Sequence, residues 1–220
     1  MDNDLQKSII LLDIFSKMIY TIDNNIGVNS MKALWQMWPN QLSDETIDAI
    51  IKECEKYPVQ DATIGTNNHP AAENYRKSQI RWIHGNNPES RWIKELIFDF
   101  AQTANRNAFG FDIDTVNDIQ YTEYHGGDEG KYDWHCDTFW DANTPYDRKV
   151  SVIIQLSDGM VDYEGGVFEL DPQYPAPDKN ILRTKGTVFV FPSFLEHRVT
   201  TVTGGTRKSL VSWVEGPSFR

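Results

Sequence analysis

The chain has 220 residues, of which 40% are hydrophobic, 12% aromatic and 24% charged, with a net charge of -11. That length and mixture suit one sizeable soluble domain, alone or with a helical cap, and the acidic balance disfavours bulk binding along a phosphate backbone while leaving room for a small local basic patch. Two cysteines, Cys54 and Cys136, are too few for a disulfide framework and point to a reducing, cytoplasmic compartment.

In chain order, the first apolar stretch is "SIILLDIFSKMIYTI" (8–22). It is too short to span a bilayer, and Asp13 and Lys17 interrupt it. The residues before it, "MDND", are acidic where a secretory signal would be basic. Residues 1–30 are therefore expected to be an amphipathic or loosely ordered extension, with no membrane partner, on a single domain covering 31–220.

The first half of that domain reads helical. "LSDETIDAIIKECEKYP" offers Ser43 as N-cap, with Asp44 and Glu45 in the first turn. Its apolar residues Ile47, Ile50, Ile51 and Cys54 make one helical stripe, and Pro58 ends it. A second helix opens at "NNPESRW", runs through Trp92, Ile93, Leu96, Ile97, Phe100 and Ala104, and has Gly110 as its C-terminal cap. Between the two, "RKSQIRWI" (76–83) reads as a strand. From Ile119 onward the pattern changes to short strands: 119–124, 149–157, 165–170, 186–191 and 206–215. Their separators, "YHGGDEG", "DPQYPAPDKN" and "TGG", carry turn residues. Helices first and strands later predict an α+β fold, with helical support over 31–118 and a β sandwich or barrel over 119–215. Within 149–157, Val152, Ile154 and Leu156 form an aliphatic face suited to lying under helices, while Ser151, Ile153 and Gln155 form the mixed face that would line a site.

The chemistry concentrates in "YDWHCDTFW" (132–140). His135 and Asp137 are two positions apart, so extended backbone would project both from one face, roughly 7 Å apart. Of the five histidines, His69, His84 and His125 lie in polar or Gly-rich turns. His197 instead follows the strongly β stretch "GTVFVFPSFLE". Two histidines and a carboxylate are the facial triad of non-haem Fe(II) oxygenases, which leaves three coordination positions open. Strand alternation turns Cys136 and Glu196 away from that point. Downstream, Arg207, Ser209, Val211 and Trp213 share a strand face. An arginine pointing into a small barrel is costly unless it meets an anion. A dicarboxylate cosubstrate would supply one, gripped bidentately by the guanidinium and helped by the Ser209 hydroxyl.

The ordered set "HCD…H…R", within "RKVSVIIQLSD…YEGGVFEL…KGTVFVFPSFLEHRVTTVTGGTR…W", resembles the Fe(II)/2-oxoglutarate dioxygenases, and within them the prolyl-4-hydroxylase-like and PKHD-type hydroxylase branch. The likeness covers residues 119–215 closely and extends loosely upstream. It implies a double-stranded β-helix (a cupin-like jelly-roll) with helices packed outside. It also implies Fe(II) held by His135, Asp137 and His197, 2-oxoglutarate as cosubstrate with its far carboxylate on Arg207, and O2 as oxidant. L-ascorbate as reductant fits the same family. By the same likeness, Tyr124 hydrogen-bonds the cosubstrate, Gln155 stands where several relatives carry a second tyrosine, and Trp213 closes the pocket floor. A core tryptophan would read the same way. The implied activity is hydroxylation of a protein, peptide or amino-acid substrate, coupled to conversion of 2-oxoglutarate to succinate and CO2. Two readings from other classes stay open here, a metal-binding jelly-roll without turnover and a Zn(II)-dependent hydrolase. Trp134, Phe139, Trp140 and Tyr146 surround the metal loop and would form either a substrate platform or a packed lid.

Overall fold

A computed structural model describes residues 31–62, 75–140 and 145–219. The expected extension 1–30 and His69 lie outside the described residues. Helix α1 (Asp44–Cys54) starts where its cap chemistry dictates, with Ser43 in extended backbone and its hydroxyl accepting from the Thr46 N–H. Helix α2 (Arg91–Ala104) runs on into a π-helical turn (Asn105–Phe109). Gly110 stops it at φ 72, in the left-handed region that a side chain would resist. A single-turn helix, α3 (Lys179–Leu182), precedes the later strands.

Twelve strands follow in chain order: β1 (Gln36–Trp38), β2 (Gln60–Asp61), β3 (Arg76–Lys77), β4 (Gln79–Ile83), β5 (Thr115–His125), β6 (Lys131–His135), β7 (Tyr146–Gln155), β8 (Tyr163–Gly165), β9 (Phe168–Leu170), β10 (Val188–Pro192), β11 (His197–Val199) and β12 (Val202–Pro217). The larger sheet has the order β1-β10-β7-β12-β5-β4-β2, with β8 added on β12, and the smaller one is β3-β6-β11-β9. Every ladder between these strands is antiparallel.

Period-2 alternation on the large sheet separates two cores. Val152, Ile154, Leu156, Val188, Val190, Leu210 and Val214 pack under α1 and α2, against residues such as Ile47, Ile50, Ile93, Leu96 and Phe100. The opposite faces of the same strands contribute Phe189 and Phe191, which meet Phe168, Leu170 and Val199 between the sheets. The expected division of 149–157 into a helix-side and a site-side face is therefore realised.

Three sequence expectations change in detail. Residues 31–118 supply strands as well as helices: β1, β2 and β4 widen the large sheet and β3 edges the small one. The stretch 165–170 divides into β8 and β9 around Gly166 (φ 55), and the two halves pair in different sheets. "TGG" is a bulge inside β12 rather than a turn between strands. The register shifts between Val202 and Gly204, and Gly205 (φ 67) passes so near the Asp162 carbonyl that a Cβ would lie 2.0 Å from it.

Candidate metal centre and cosubstrate pocket

His135 closes β6 and His197 opens β11, and antiparallel pairing sets the two directly opposite each other. Their rings stand 4.2 Å apart between centroids. Asp137 reaches the same point by a different route from the strand alternation expected. The strand ends at His135, and the chain turns so that the backbone N–H groups of Asp137 and Thr138 both donate to the Ser193 carbonyl. The Asp137 carboxylate then lies 3.9 Å from Nε2 of His135 and 3.6 Å from Nε2 of His197. One donor atom from each of the three residues falls within 4.8 Å of the others, and among the described residues no other such group of His, Cys, Asp or Glu occurs.

Each ligand is held from behind. His135 Nδ1 sits 2.7 Å from the Asp133 carbonyl, and His197 Nδ1 sits 2.9 Å from that of Leu195. A carbonyl only accepts, so both Nδ1 atoms carry a proton and both Nε2 atoms face the cluster. Ser151 donates to Asp137 Oδ2 at 2.6 Å and is itself 2.9 Å from the Ser193 hydroxyl. The Tyr132 ring stacks on His135 at 3.5 Å. Burial, reinforced by the His197 field, lowers the His135 pKa to about 3, so its imidazole is neutral at physiological pH. Burial pushes the Asp137 carboxyl upward, but the fields of His197 and His135 and the Ser151 hydroxyl outweigh it and hold the group below the usual carboxylate range. The indole N–H of Trp213 also lies toward this carboxyl without reaching hydrogen-bond geometry. Two imidazoles with Nε2 turned toward the cluster and one carboxylate are the donor set that suits a divalent transition metal.

A cavity of about 590 Å³ opens from this point, and Tyr124, Ile153, Arg207, Ser209, Val211 and Trp213 line it. Arg207 is 3% exposed. Among the described residues it has no carboxylate partner. One terminal nitrogen donates to Ser209 Oγ at 3.1 Å, and its buried Nε has no acceptor. An unpaired guanidinium in this setting fits a cavity that receives an anion. Tyr124 lies opposite Arg207 in the β5–β12 ladder, with its ring 5.5 Å from the guanidinium carbon. Gly166 makes room for the arginine, since a Cβ there would stand 3.1 Å from Arg207 Cδ and 2.8 Å from Val202 Cγ2.

The other expected residues fall as follows. Gln155 borders a small recess beside Arg207. Its amide nitrogen donates to the Ser157 carbonyl and to Tyr163 Oη, and its Oε1 stays without a donor. Cys136 stays outside the ligand group as expected, but it borders the cavity instead of facing away from it, because the strand has already ended. Glu196 is exposed. His125 bonds Thr206 and Gln79, and His84 packs edge-on to Tyr57. The four aromatics of the metal loop diverge. Phe139 borders the cavity, Trp134 lies under Arg198, Trp140 packs on Phe219, and Tyr146 reaches Asp114. Sequence reasoning missed the roles of Tyr132, Ser193, Arg76 and Arg148 around the site. For Ser151 a signal existed, its place on the mixed face of β7.

Comparison with known proteins agrees with this geometry. Residues 119–215 match the family model of the 2OG-Fe(II) oxygenase superfamily. A PKHD-type hydroxylase of Synechococcus sp. (strain CC9311) is 36% identical over 90 residues, a stretch covering 40% of this chain and only 37% of that relative. The fold is shared with a Pseudomonas putida prolyl-4-hydroxylase, at TM-score 0.63 and 21% identity over 84% of this chain and 94% of that one. A Trichoplax adhaerens prolyl hydroxylase, solved with a hypoxia inducible factor peptide fragment, gives TM-score 0.65 and 16% identity, covering 97% of this chain and 93% of its own. These likenesses fix the core as the double-stranded β-helix of the prolyl-4-hydroxylase type, and the donor set fits the iron of the family's name. Residues 119–215 and the His-Asp-His cluster are thus similar to the 2OG-Fe(II) oxygenase superfamily, and the fold as a whole is that of the prolyl-4-hydroxylases.

Proposed function

We propose that this chain is a Fe(II)- and 2-oxoglutarate-dependent hydroxylase of a peptidyl residue or an amino acid. The observation that carries the reading is the buried guanidinium of Arg207, without a carboxylate partner among the described residues, opening onto the same cavity as the His135, Asp137 and His197 donors. Neither a Zn(II) hydrolase nor a passive metal module has use for such an anion clamp, so nothing favours those alternatives.

In this reading His135, Asp137 and His197 hold the iron and leave its remaining positions to cosubstrate and O2. When bound, the iron with 2-oxoglutarate supplies the oxidising power: one oxygen atom of O2 enters a substrate C–H bond as hydroxyl, and the other enters succinate as CO2 is lost. The protein's part is positioning. Arg207 and Ser209 grip the far carboxylate, as two charge-assisted hydrogen bonds would. Tyr124 packs beside that grip, and Gln155 closes its inner end. Trp213 closes the floor beside Asp137, and Ser151 keeps that carboxylate turned toward the metal. L-ascorbate would serve to return oxidised iron to Fe(II). A cytoplasmic location accords with two cysteines that stay unpaired. Among the described residues no helix is long and apolar enough to cross a membrane. We also take residues 31–220 as the functional unit. A chain begun at residue 31 that retains turnover supports this, and one that folds but is inert contradicts it.

The substrate can be sought by exposing a lysate to Fe(II), 2-oxoglutarate and either the natural protein or His135→Ala. A species gaining one oxygen atom only with the natural protein, with matching succinate release, is expected. Equal succinate release from both proteins would overturn the reading.

A further inference from the structure

Among the described residues, three arginines, Arg76, Arg148 and Arg207, border the main cavity, against a single carboxylate, Asp137, which belongs to the metal cluster. In a chain of net charge -11 that is a local reversal of sign, and a cavity lined by excess positive charge draws anions. Arg207 faces the cosubstrate. Arg148 is neutralised by Asp118 at 3.2 Å and lies between the rings of Phe139 and Trp213, at 4.8 and 3.8 Å. Arg76 remains.

Its Nε donates to Ser78 Oγ at 3.1 Å and one terminal nitrogen donates to Gln120 Oε1 at 2.7 Å, both neutral acceptors. The Gln120 oxygen is fixed in turn by the Thr122 hydroxyl at 3.1 Å. Asp61, Asp128 and Glu129 border a neighbouring cavity of about 490 Å³ that Arg76 also touches, yet among the described residues no carboxylate pairs with it. The guanidinium lies 4.4 Å over the ring of Tyr132, whose other neighbour in the stack is His135 at 3.5 Å. Arg76 thus reaches from β3 of the small sheet to β5 of the large one, one aromatic ring away from the first metal ligand. A half-buried guanidinium, held rigidly by neutral partners and keeping its full charge, is preorganised for a carboxylate.

Building on the hydroxylase reading, we propose that the molecule hydroxylated carries a carboxylate bound by Arg76, so that the substrate class is a free amino acid or similar small carboxylic acid. With its carboxylate on Arg76, one aromatic ring away from His135, the rest of a small substrate would lie in the cavity that the metal cluster also borders.

The test uses the full chain loaded anaerobically with Fe(II) and 2-oxoglutarate, and probes it with the free L-amino acids and with the carboxamides of the same amino acids. Binding is read as perturbation of the visible charge-transfer band, and turnover as succinate release after O2 is admitted. At least one free acid should perturb the band, with its amide about ten- to hundredfold weaker, the range expected for a hydrogen-bonded charge. Arg76→Gln should remove that preference while leaving half-saturation by 2-oxoglutarate unchanged, and Arg76→Lys should recover part of it. Gln120→Glu, which gives Arg76 a carboxylate of its own, should produce the same loss without shortening a side chain. Acid and amide binding alike, or response only to a prolyl peptide capped at both ends, or no response to any carboxylate while the band forms, would overturn the inference and leave the hydroxylase reading standing. Absence of the band with 2-oxoglutarate alone would remove both.

Discussion

The two sheets divide the work of the molecule unequally. The large sheet is backed by α1 and α2, and its helix-facing residues Val150, Val152, Ile154, Val188, Val190, Leu210 and Val214 are buried to within 1% of complete. The small sheet consists of strands of two to five residues with a register shift between His197 and Val199, yet it carries both histidine ligands. Stability is concentrated where apolar area is removed from water on a long, regular surface. The metal cluster sits where strands are short, at the ends of β6 and β11, where a chain can leave the ladder and bring Asp137 round. Arg207 belongs to the large sheet, so the proposed cosubstrate grip lies on the helix-backed wall and the candidate metal site on the thinner one.

The comparison can be broken from either side. The largest effect expected is on the helix-backed wall. Phe100→Ala removes a fully buried ring that meets Trp38 at 5.2 Å between centroids, and should cost about 3–5 kcal/mol in urea unfolding while the surviving folded fraction binds Fe(II) with unchanged affinity. A matching loss of metal affinity would show that the two walls are not separable. Arg207→Met should raise the half-saturating 2-oxoglutarate concentration about a hundredfold, as losing about 3 kcal/mol of charged hydrogen bonding implies. An unchanged value would move the carboxylate elsewhere. Ser151→Ala frees the Asp137 carboxylate that it holds at 2.6 Å, and should weaken metal binding about 10- to 100-fold with little change in unfolding midpoint. A large stability loss with unaltered metal affinity would make Ser151 a packing residue.

A further test is the pH response of the metal-free protein. His135 is neutral in the folded state down to about pH 3, from an ordinary value of 6.5. The unfolded chain therefore takes up a proton there that the folded chain refuses, and stability falls as pH drops from about 6.5 toward 3. Its slope from this group is at most about 1.4 kcal/mol per pH unit. Above pH 6.5 His135 contributes no slope. His135→Gln should flatten the curve in that window, and an unflattened curve would assign the slope to other groups.

Much of this was legible in the chain because it was local or periodic. Ser43 as cap, Gly110 as stop and the two faces of β7 follow from spacings of two to four residues. The candidate metal cluster was legible because His135, Asp137 and His197 keep their order in a recognisable pattern. What could not be read depends on contacts between distant segments. Nothing in "RKSQ" says that Arg76 will cross to Gln120, and nothing near Ser151 says that its hydroxyl will meet Asp137. The glycines of "TGG" look like a turn in any local reading. Only pairing with β8 makes them a bulge in a strand of sixteen residues. Asp137 was placed by strand alternation, but a hydrogen-bonded turn at Ser193 brings it to the cluster.

The most direct test of the whole account is to add 2-oxoglutarate to the Fe(II)-loaded protein without oxygen and record the visible spectrum. A weak charge-transfer band that saturates with 2-oxoglutarate, vanishes in Asp137→Ala and needs far more cosubstrate in Arg207→Met is the predicted result. A folded, iron-binding protein whose spectrum ignores 2-oxoglutarate would contradict it.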